Sequence, residues 1–223
     1  MKMKILALAS GGMDSTIMLY HYKNNIKNVM FIDYGSKHNG MELEYLINTC
    51  KRLDLPIILI NVRSAFTELA YSSSLMRNGN ALPKKLPANH PEQSKTVVPF
   101  RNGIFISIAV AHAQSNNLGT VLIGATKSDS DIYADCRQGF IVNMNNAIAD
   151  GTDRKVSLFA PYLVHSKKEL AVIGESFKFD GLNLDEDTYS CYEGGKIHCG
   201  VCGACVARKE ALSLIEDTTK YLE

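Results

Sequence analysis

Two groups of residues in this 223-residue chain have the types and spacing that chemistry needs. The first is A-S-G-G-M-D-S-T-I at residues 9–17. Adjacent glycines let the backbone turn tightly and come close to an anion. A helix behind them would present unpaired N–H groups and the positive end of its dipole. Ser10, Ser15 and Thr16 add hydroxyls. Asp14 would repel a phosphate unless a Mg²⁺ ion bridged the carboxylate and the phosphate oxygens. No lysine follows the glycines, so the loop is not a Walker P-loop, and G-x-G-x-x-G is absent. A ligand-free strand-to-helix turn needs only the two glycines, and this reading stands beside the anion cradle.

The second group is C-Y-E-G-G-K-I-H-C-G-V-C-G-A-C, which holds Cys191, Cys199, Cys202 and Cys205. The last three form overlapping C-x-x-C pairs, and four thiolates so spaced can surround one tetrahedral zinc. Gly200 and Gly203 follow cysteines, where the chain must curl so that its N–H groups face sulfur. Cys205 is expected to open a helix whose positive end favours a thiolate. Lys196, Arg208 and Lys209 can offset the negative charge of the set. An iron–sulfur cluster, a redox pair, or His198 in place of one cysteine are the alternatives. Cys50 lies on an apolar helix face and reads as core.

Elements must bring these groups into place. Residues 3–9, 29–33, 56–62, 121–124 and 157–160 read as short buried strands. Helices are expected over 14–23, 41–53, 103–114, 140–149, 167–175 and 205–216. The alternation predicts an α/β fold, a doubly wound, mostly parallel sheet of βαβ units. Residues 64–99, with a serine triplet and prolines at 83, 87, 91 and 99, form a long connection of the kind often found as a lid or disordered. The division expected is a nucleotide-binding domain over 1–187 and a cysteine segment with a terminal helix over 188–223. A net charge of +1 gives no polyanion footprint, so a small-molecule substrate is favoured over nucleic acid. The opening apolar run of about five residues is too short for a signal-peptide core. No stretch reaches the roughly 20 apolar residues of a membrane span, and a cytosolic location is expected. Six cysteines in the cytosol then need a reason other than disulfides.

The string S-G-G-M-D-S resembles the pyrophosphate loop of the ATP-pyrophosphatase superfamily, whose members cleave ATP between the α and β phosphates and pass AMP to a carboxylate or carbonyl oxygen. Across the chain, SGGMDST (10–16), DYGSKHNGMELE (33–44), VPFRN (98–102), DIYADCR (131–137), PYLVHSKKEL (161–170) and SCYEGGKIHCGVCGACVARK (190–209) resemble, in family order, the 7-cyano-7-deazaguanine synthases known as QueC. The resemblance implies an adenine nucleotide alpha-hydrolase-like fold, a cytosolic homodimer, and structural zinc on Cys191, Cys199, Cys202 and Cys205. It implies conversion of 7-carboxy-7-deazaguanine to the nitrile with ammonia and two ATP.

The nucleotide set it implies is Ala9, Ser10, Gly11, Gly12, Met13, Asp14, Ser15, Thr16, Ile17, Met18, Leu19 and Asp33, with Mg²⁺ on Asp14. Lys167 would reach a phosphate as a point charge. Arg101 would neutralise phosphate as AMP transfers, or anchor the long loop. Asp135 and Arg137 would hold the deazapurine, or pair with each other. Tyr133 or Phe100 would stack on its ring, and Cys136 reads as a small buried residue. Four departures surround this pocket: Phe100 for glycine, Ser36-Lys37 for Gln-Arg, Ala134 for proline, and ATKSDSD after Gly124. An enzyme that stops at the amide, one that attaches the deazapurine to a macromolecule, a tRNA-thiolating enzyme, and a zinc module with a vestigial loop are the other readings.

Overall fold

A computed structural model describes residues 4–222. Five short aliphatic runs form one parallel sheet: β1 (Ile5–Leu8), β2 (Ile26–Asp33), β3 (Ile57–Asn61), β4 (Thr120–Ile123) and β5 (Ser157–Phe159), in the order β3-β2-β1-β4-β5. Central β1 is apolar on both faces. Leu6 joins Met30, Ile32, Val121 and Ile123 in one apolar cluster, whereas Ile5 and Ala7 join Val29, Phe31 and Leu122 in another. That is why the strands read as continuous apolar runs rather than alternating ones. The first residue of the expected strand at 3–9, Met3, lies outside the described residues.

Among the described residues eight helices accompany the sheet: α1 (Met13–Tyr22), α2 (Asn39–Leu53), α3 (Arg63–Leu69), α4 (Arg101–Ser115), α5 (Gln138–Gly151), α6 (Lys167–Glu175), α7 (Leu184–Asp187) and α8 (Gly203–Leu212). Residues of α4 and α5 pack in the first cluster, and those of α1, α2, α6 and α8 in the second, so the sheet is doubly wound as expected. The chain runs outward from β1 to β3 and then returns to the other side of β1 with β4. The carboxyl ends of β1 and β4 therefore meet at a topological switch point, where open α/β sheets bind ligands.

The connection over 64–99 is a built wall rather than a free lid. Leu75, Met76 and Leu82 are buried in the core. Lys37 Nζ donates to the carbonyls of Ser74 at 2.9 Å and Asn80 at 3.2 Å. Further along, Lys85 N–H donates to the Val201 carbonyl at 2.8 Å. The connection also contains α3, which the sequence reading treated as loop. α8 starts at Gly203, with Cys202 as its N-cap, so Cys205 lies inside its first turn rather than opening it.

By length and composition one stretch, Pro91–Ser115, is long and apolar enough to cross a membrane. It is interrupted: Val97 is extended, and Phe100 is left-handed with φ +50°. The uninterrupted helix, α4, has 15 residues, short of the roughly 20 that span a bilayer, and its Ile106, Ala109 and Ala113 are wholly buried against the sheet.

Candidate active site

The loop after β1 opens onto a cavity of about 440 Å³ at the switch point. Gly11 adopts φ +91°, and a side chain there would strike the Glu42 carbonyl of α2, so only glycine fits. Within the loop, the Ser15 hydroxyl accepts from the N–H groups of Ser10 at 3.3 Å and Gly11 at 3.2 Å, and donates to the Gly12 carbonyl at 3.0 Å. Gly12 N–H donates to Ser10 Oγ at 3.2 Å. These bonds wrap the loop backbone around the Ser10 and Ser15 hydroxyls at the start of α1.

A lysine reaches this loop from a distant part of the chain. Ser166 caps α6 in a reciprocal capping box with Glu169, which sets Lys167 at the first helical position. Its Nζ lies 2.6 Å from Asp14 Oδ2 and 3.1 Å from Asp129 Oδ1. Asp129 is held by its own turn: Thr126, just after β4, donates its hydroxyl to Asp129 Oδ2 at 2.7 Å. The turn and α6 are cross-linked by Lys167 N–H on Ser128 Oγ at 3.1 Å and Lys127 N–H on the His165 carbonyl at 3.0 Å. Burial pulls the Lys167 ammonium down, but Asp129 and Asp14 outweigh it and hold the proton. Burial pushes the Asp14 carboxyl up, and Lys167 offsets this only in part. For Asp129, Lys167 and the Thr126 hydrogen bonds outweigh burial and hold the carboxyl down. Asp14 Oδ1 is buried and has no hydrogen-bond partner.

Opposite the loop, Arg101 begins α4. Its guanidinium lies 5.8 Å from the Tyr34 ring centre and 5.9 Å from that of Phe105. Its side-chain hydrogen bonds are two long ones to neighbouring Asn102 Oδ1, at 3.4 and 3.3 Å. No carboxylate pairs with it among the described residues. A guanidinium so placed is free to take an incoming anion.

At the far end, a hydroxyl chain joins three segments: Thr96 Oγ1 to Tyr133 OH at 2.7 Å, and Tyr133 OH to Tyr192 OH at 3.2 Å. Gln93 and Asn102 also line this end. The 3₁₀ turn Ala134–Cys136 directs Asp135 away from the cavity, where its Oδ2 accepts from the Asn102 N–H at 2.8 Å and so caps α4. Arg137 is exposed and donates Nε to the Ser130 carbonyl at 3.1 Å. Of the three residues expected to hold the substrate, Tyr133 alone lines the cavity. Asp135 and Arg137 do not bond each other either. Phe100 is 59% exposed and packs edge-on against Phe140. Cys136 is buried beside Asn102, with its thiol pushed up to about 12, chiefly by burial.

Ala9, Ser10, Gly12, Met13, Asp14 and Ser15 line the cavity. Gly11 and Thr16 are buried behind it, and Ile17, Met18 and Leu19 are wholly buried core residues. These three were expected to touch a nucleotide; the structure packs them in the apolar cluster beneath the sheet and not on the cavity. Asp33 is set apart from the cavity, accepting from Gly35 N–H at 3.0 Å and Arg63 Nε at 2.8 Å. Asp129, Glu42, Gln93, Asn102 and Tyr192 were missed. Only Asp129 carried a local signal, the T-x-x-D cap directly after a strand.

The ligating sulfur atoms of Cys191, Cys199, Cys202 and Cys205 all lie within 4.8 Å of one another. Cys199 N–H points at Cys191 Sγ and Cys202 N–H at Cys199 Sγ, each at 3.3 Å. A single tetrahedral ion with metal–sulfur bonds of about 2.3 Å holds its sulfurs about 3.8 Å apart, so the set fits one metal ion. Gly200 supplies the curl at φ +75°. His198 is not a fifth donor: its Nε2 accepts from Ser190 N–H at 3.1 Å. Arg208 is 1% exposed. It donates to Thr188 Oγ1 at 2.7 Å, Ser190 Oγ at 3.2 Å and the Leu184 carbonyl at 2.7 Å, tying α8 to the segment that precedes the first cysteine. Lys209 donates to the Gly200 carbonyl at 3.0 Å.

A protein-family model described as "Queuosine biosynthesis protein QueC" matches residues 4–216. A 7-cyano-7-deazaguanine synthase of Porphyromonas gingivalis is 39% identical over 220 residues, covering 97% of this chain and 96% of the relative. The protein of the same name from Desulfotalea psychrophila is 39% identical over 225 residues (97% and 98%), and that from Caldicellulosiruptor saccharolyticus 36% over 226 residues (98% and 96%).

Proposed function

The chain belongs to the QueC family, and on that premise we propose that it makes 7-cyano-7-deazaguanine from 7-carboxy-7-deazaguanine, ammonia and ATP. The observation that carries the reading is the meeting of Asp14, in the S-G-G-M-D-S loop, with Lys167 from α6 at the carboxyl end of the central strand. A glycine loop and a lysine that meet at the mouth of the cavity support a reading in which the loop cradles an anion and Lys167 adds a point charge.

The chemistry follows in two rounds. A carboxylate resists ammonia because oxide is a poor leaving group. Attack of its oxygen on the α-phosphorus of ATP releases pyrophosphate and turns that oxygen into AMP. Ammonia then displaces AMP to give the amide. A second adenylation, on the amide oxygen, lets AMP leave with loss of two N–H protons to form the nitrile. Ser10, Gly12 and Ser15 would hold the departing pyrophosphate. Lys167 would swing from the carboxylates to the phosphates, and Arg101 would take the remaining charge as AMP transfers. Tyr133, Tyr192 and Gln93 would seat the deazapurine, and Asp135 would act from behind the wall by fixing Asn102.

Asp14, whose buried Oδ1 lacks a partner, would hold Mg²⁺. Bound there, the ion would screen phosphate charge. The four cysteines would hold structural zinc, a fixed cross-link for the tail. The two cysteines outside the tail, Cys50 and Cys136, are buried with thiols pushed up to about 12 by burial, which favours the nitrile reading over sulfur transfer to tRNA. Six free thiols suit a reducing cytosol. A homodimer is the assembly the family resemblance implies. The test is nucleotide analysis: ATP should become AMP and pyrophosphate only when the deazapurine acid is present, and formation of ADP would contradict the reading.

A further inference from the structure

Among the described residues four carboxylates line the cavity: Asp14, Asp129, Glu42 and Glu210. Asp14 and Asp129 share Lys167, and Glu210 is exposed on α8. Glu42, on the first turn of α2, is half-buried and has no lysine or arginine within ion-pair distance among the described residues. Its nearest basic atom is His38 Nε2 at 3.7 Å. The groups facing it are Ser10 of the loop, His38 at the start of its own helix, Tyr34 after β2 and Arg101 of α4. The His38 ring lies 5.4 Å from that of Tyr192, which bonds Tyr133. Glu42 therefore sits between the loop and the aromatic end of the cavity, where an activated substrate carbon must lie if ATP and the deazapurine occupy those ends.

We propose that Glu42 is the ammonium site of the enzyme, a catalytic residue that captures the ammonium ion and accepts its proton before nitrogen attacks the activated carbon. The inference rests on the reaction proposed above. In solution at neutral pH the nitrogen source is almost wholly ammonium, which has no lone pair to attack with. In its ionised form a carboxylate with no lysine or arginine partner, set in a low-dielectric wall, attracts that cation. Arg101 nearby disfavours a second positive charge and so favours the neutral base. The step balances: ammonium gives one proton to the Glu42 carboxylate, and the freed ammonia forms the C–N bond. The C–O bond to AMP breaks with its electron pair on AMP, and the surplus proton on nitrogen leaves to water. Burial pushes the Glu42 carboxyl up to about 8, against the lowering effect of Arg101 and Ser10, so its ionised, proton-accepting form grows as pH rises through about 8, and ammonium-dependent turnover should rise over the same range.

The test uses metal-replete, full-length Glu42→Gln and three assays with the deazapurine acid: pyrophosphate–ATP exchange without a nitrogen nucleophile, product formation with hydroxylamine, and product formation with ammonium chloride. Hydroxylamine is largely unprotonated at neutral pH and needs no acceptor to become a nucleophile. The ammonium kcat/KM should fall at least ~100-fold, while exchange and hydroxamate formation stay within about threefold of the unmodified enzyme. An unchanged ammonium kcat/KM, or an equal fall in all three assays, overturns the proposal. Absence of exchange in the unmodified enzyme overturns the reaction and this inference together. Should the glutamine variant fail to fold, Glu42→Asp, which draws the carboxylate back by one methylene, should raise KM for ammonium at least about tenfold with exchange intact; an unchanged KM overturns the proposal.

Discussion

Lys167 Nζ lies 2.6 Å from Asp14 Oδ2, a contact that bridges 153 positions of sequence. It joins the loop after the first strand to the start of α6 and draws in Asp129 from the turn after β4. Three loops at the carboxyl ends of the sheet are thereby focused on one point.

Removing the loop carboxylate should stop adenylation without unfolding the protein. Asp14→Asn leaves Lys167 paired with Asp129, so the melting temperature should change little. AMP release should fall at least about 100-fold. Normal turnover would contradict the role given to Asp14. Lys167→Arg should not rescue the loss seen in Lys167→Met, because a planar fork cannot replace a point charge between two carboxylates.

The cysteine set should behave as one unit. Cys202→Ser replaces a fully buried ligand. If the cluster holds zinc as proposed, metal content measured by elemental analysis should be largely lost and thermal stability should fall, because metal binding is folding free energy for such a segment. A folded, metal-replete variant would contradict the assignment.

Arg208 should prove necessary to the tail even without metal chemistry. Arg208→Met removes a buried cation and leaves Thr188 Oγ1, Ser190 Oγ and the Leu184 carbonyl without its donors. Each lost bond to a charged donor is worth about 1.5–3 kcal/mol, and urea unfolding should register a loss of about 3 kcal/mol or more. A loss below about 1 kcal/mol would show that the tail is held elsewhere.

Glu42 should make stability depend on pH with a definite sign. Its folded carboxyl stands at about 8 against an ordinary 4.5. The folded form therefore keeps a proton that the unfolded chain releases. Stability from this group is intact below about 4.5 and is lost as pH rises toward about 8. Glu42→Gln should match the unmodified protein in melting temperature at pH 4 and exceed it at pH 8. Equal melting temperatures at both would contradict the burial argument.

The left-handed backbone at Phe100, with φ +50°, accounts physically for a glycine preference at this place. Phe100→Gly should be more stable than Phe100→Ala by about 1 kcal/mol, since both lose the contact with Phe140 but only glycine relieves the backbone.

The central strands β1 and β4 were legible because burial on both sheet faces leaves unbroken aliphatic runs, β3 because it is aliphatic even though partly exposed at the sheet edge, and α6 because S-K-K-E is a capping box. α3 was not legible: of its seven residues Phe66 alone is buried, so no periodicity marks it. The glycine loop and the cysteine set could be picked out because each is local in sequence. The substrate end was not. Asp135 and Arg137 stand beside Tyr133 in sequence, but a 3₁₀ turn sends one to the cap of α4 and the other to solvent. Ile17, Met18 and Leu19 follow the loop in sequence yet turn into the apolar core. Glu42, Tyr192 and Gln93 come together only through tertiary packing, which no spacing encodes.

The central claim is tested most directly by the mass of the product. Metal-replete protein incubated with 7-carboxy-7-deazaguanine, ATP, Mg²⁺ and ammonium should yield the nitrile, with two AMP formed for each molecule made. Accumulation of the amide with one AMP, or recovery of unchanged acid, would contradict it.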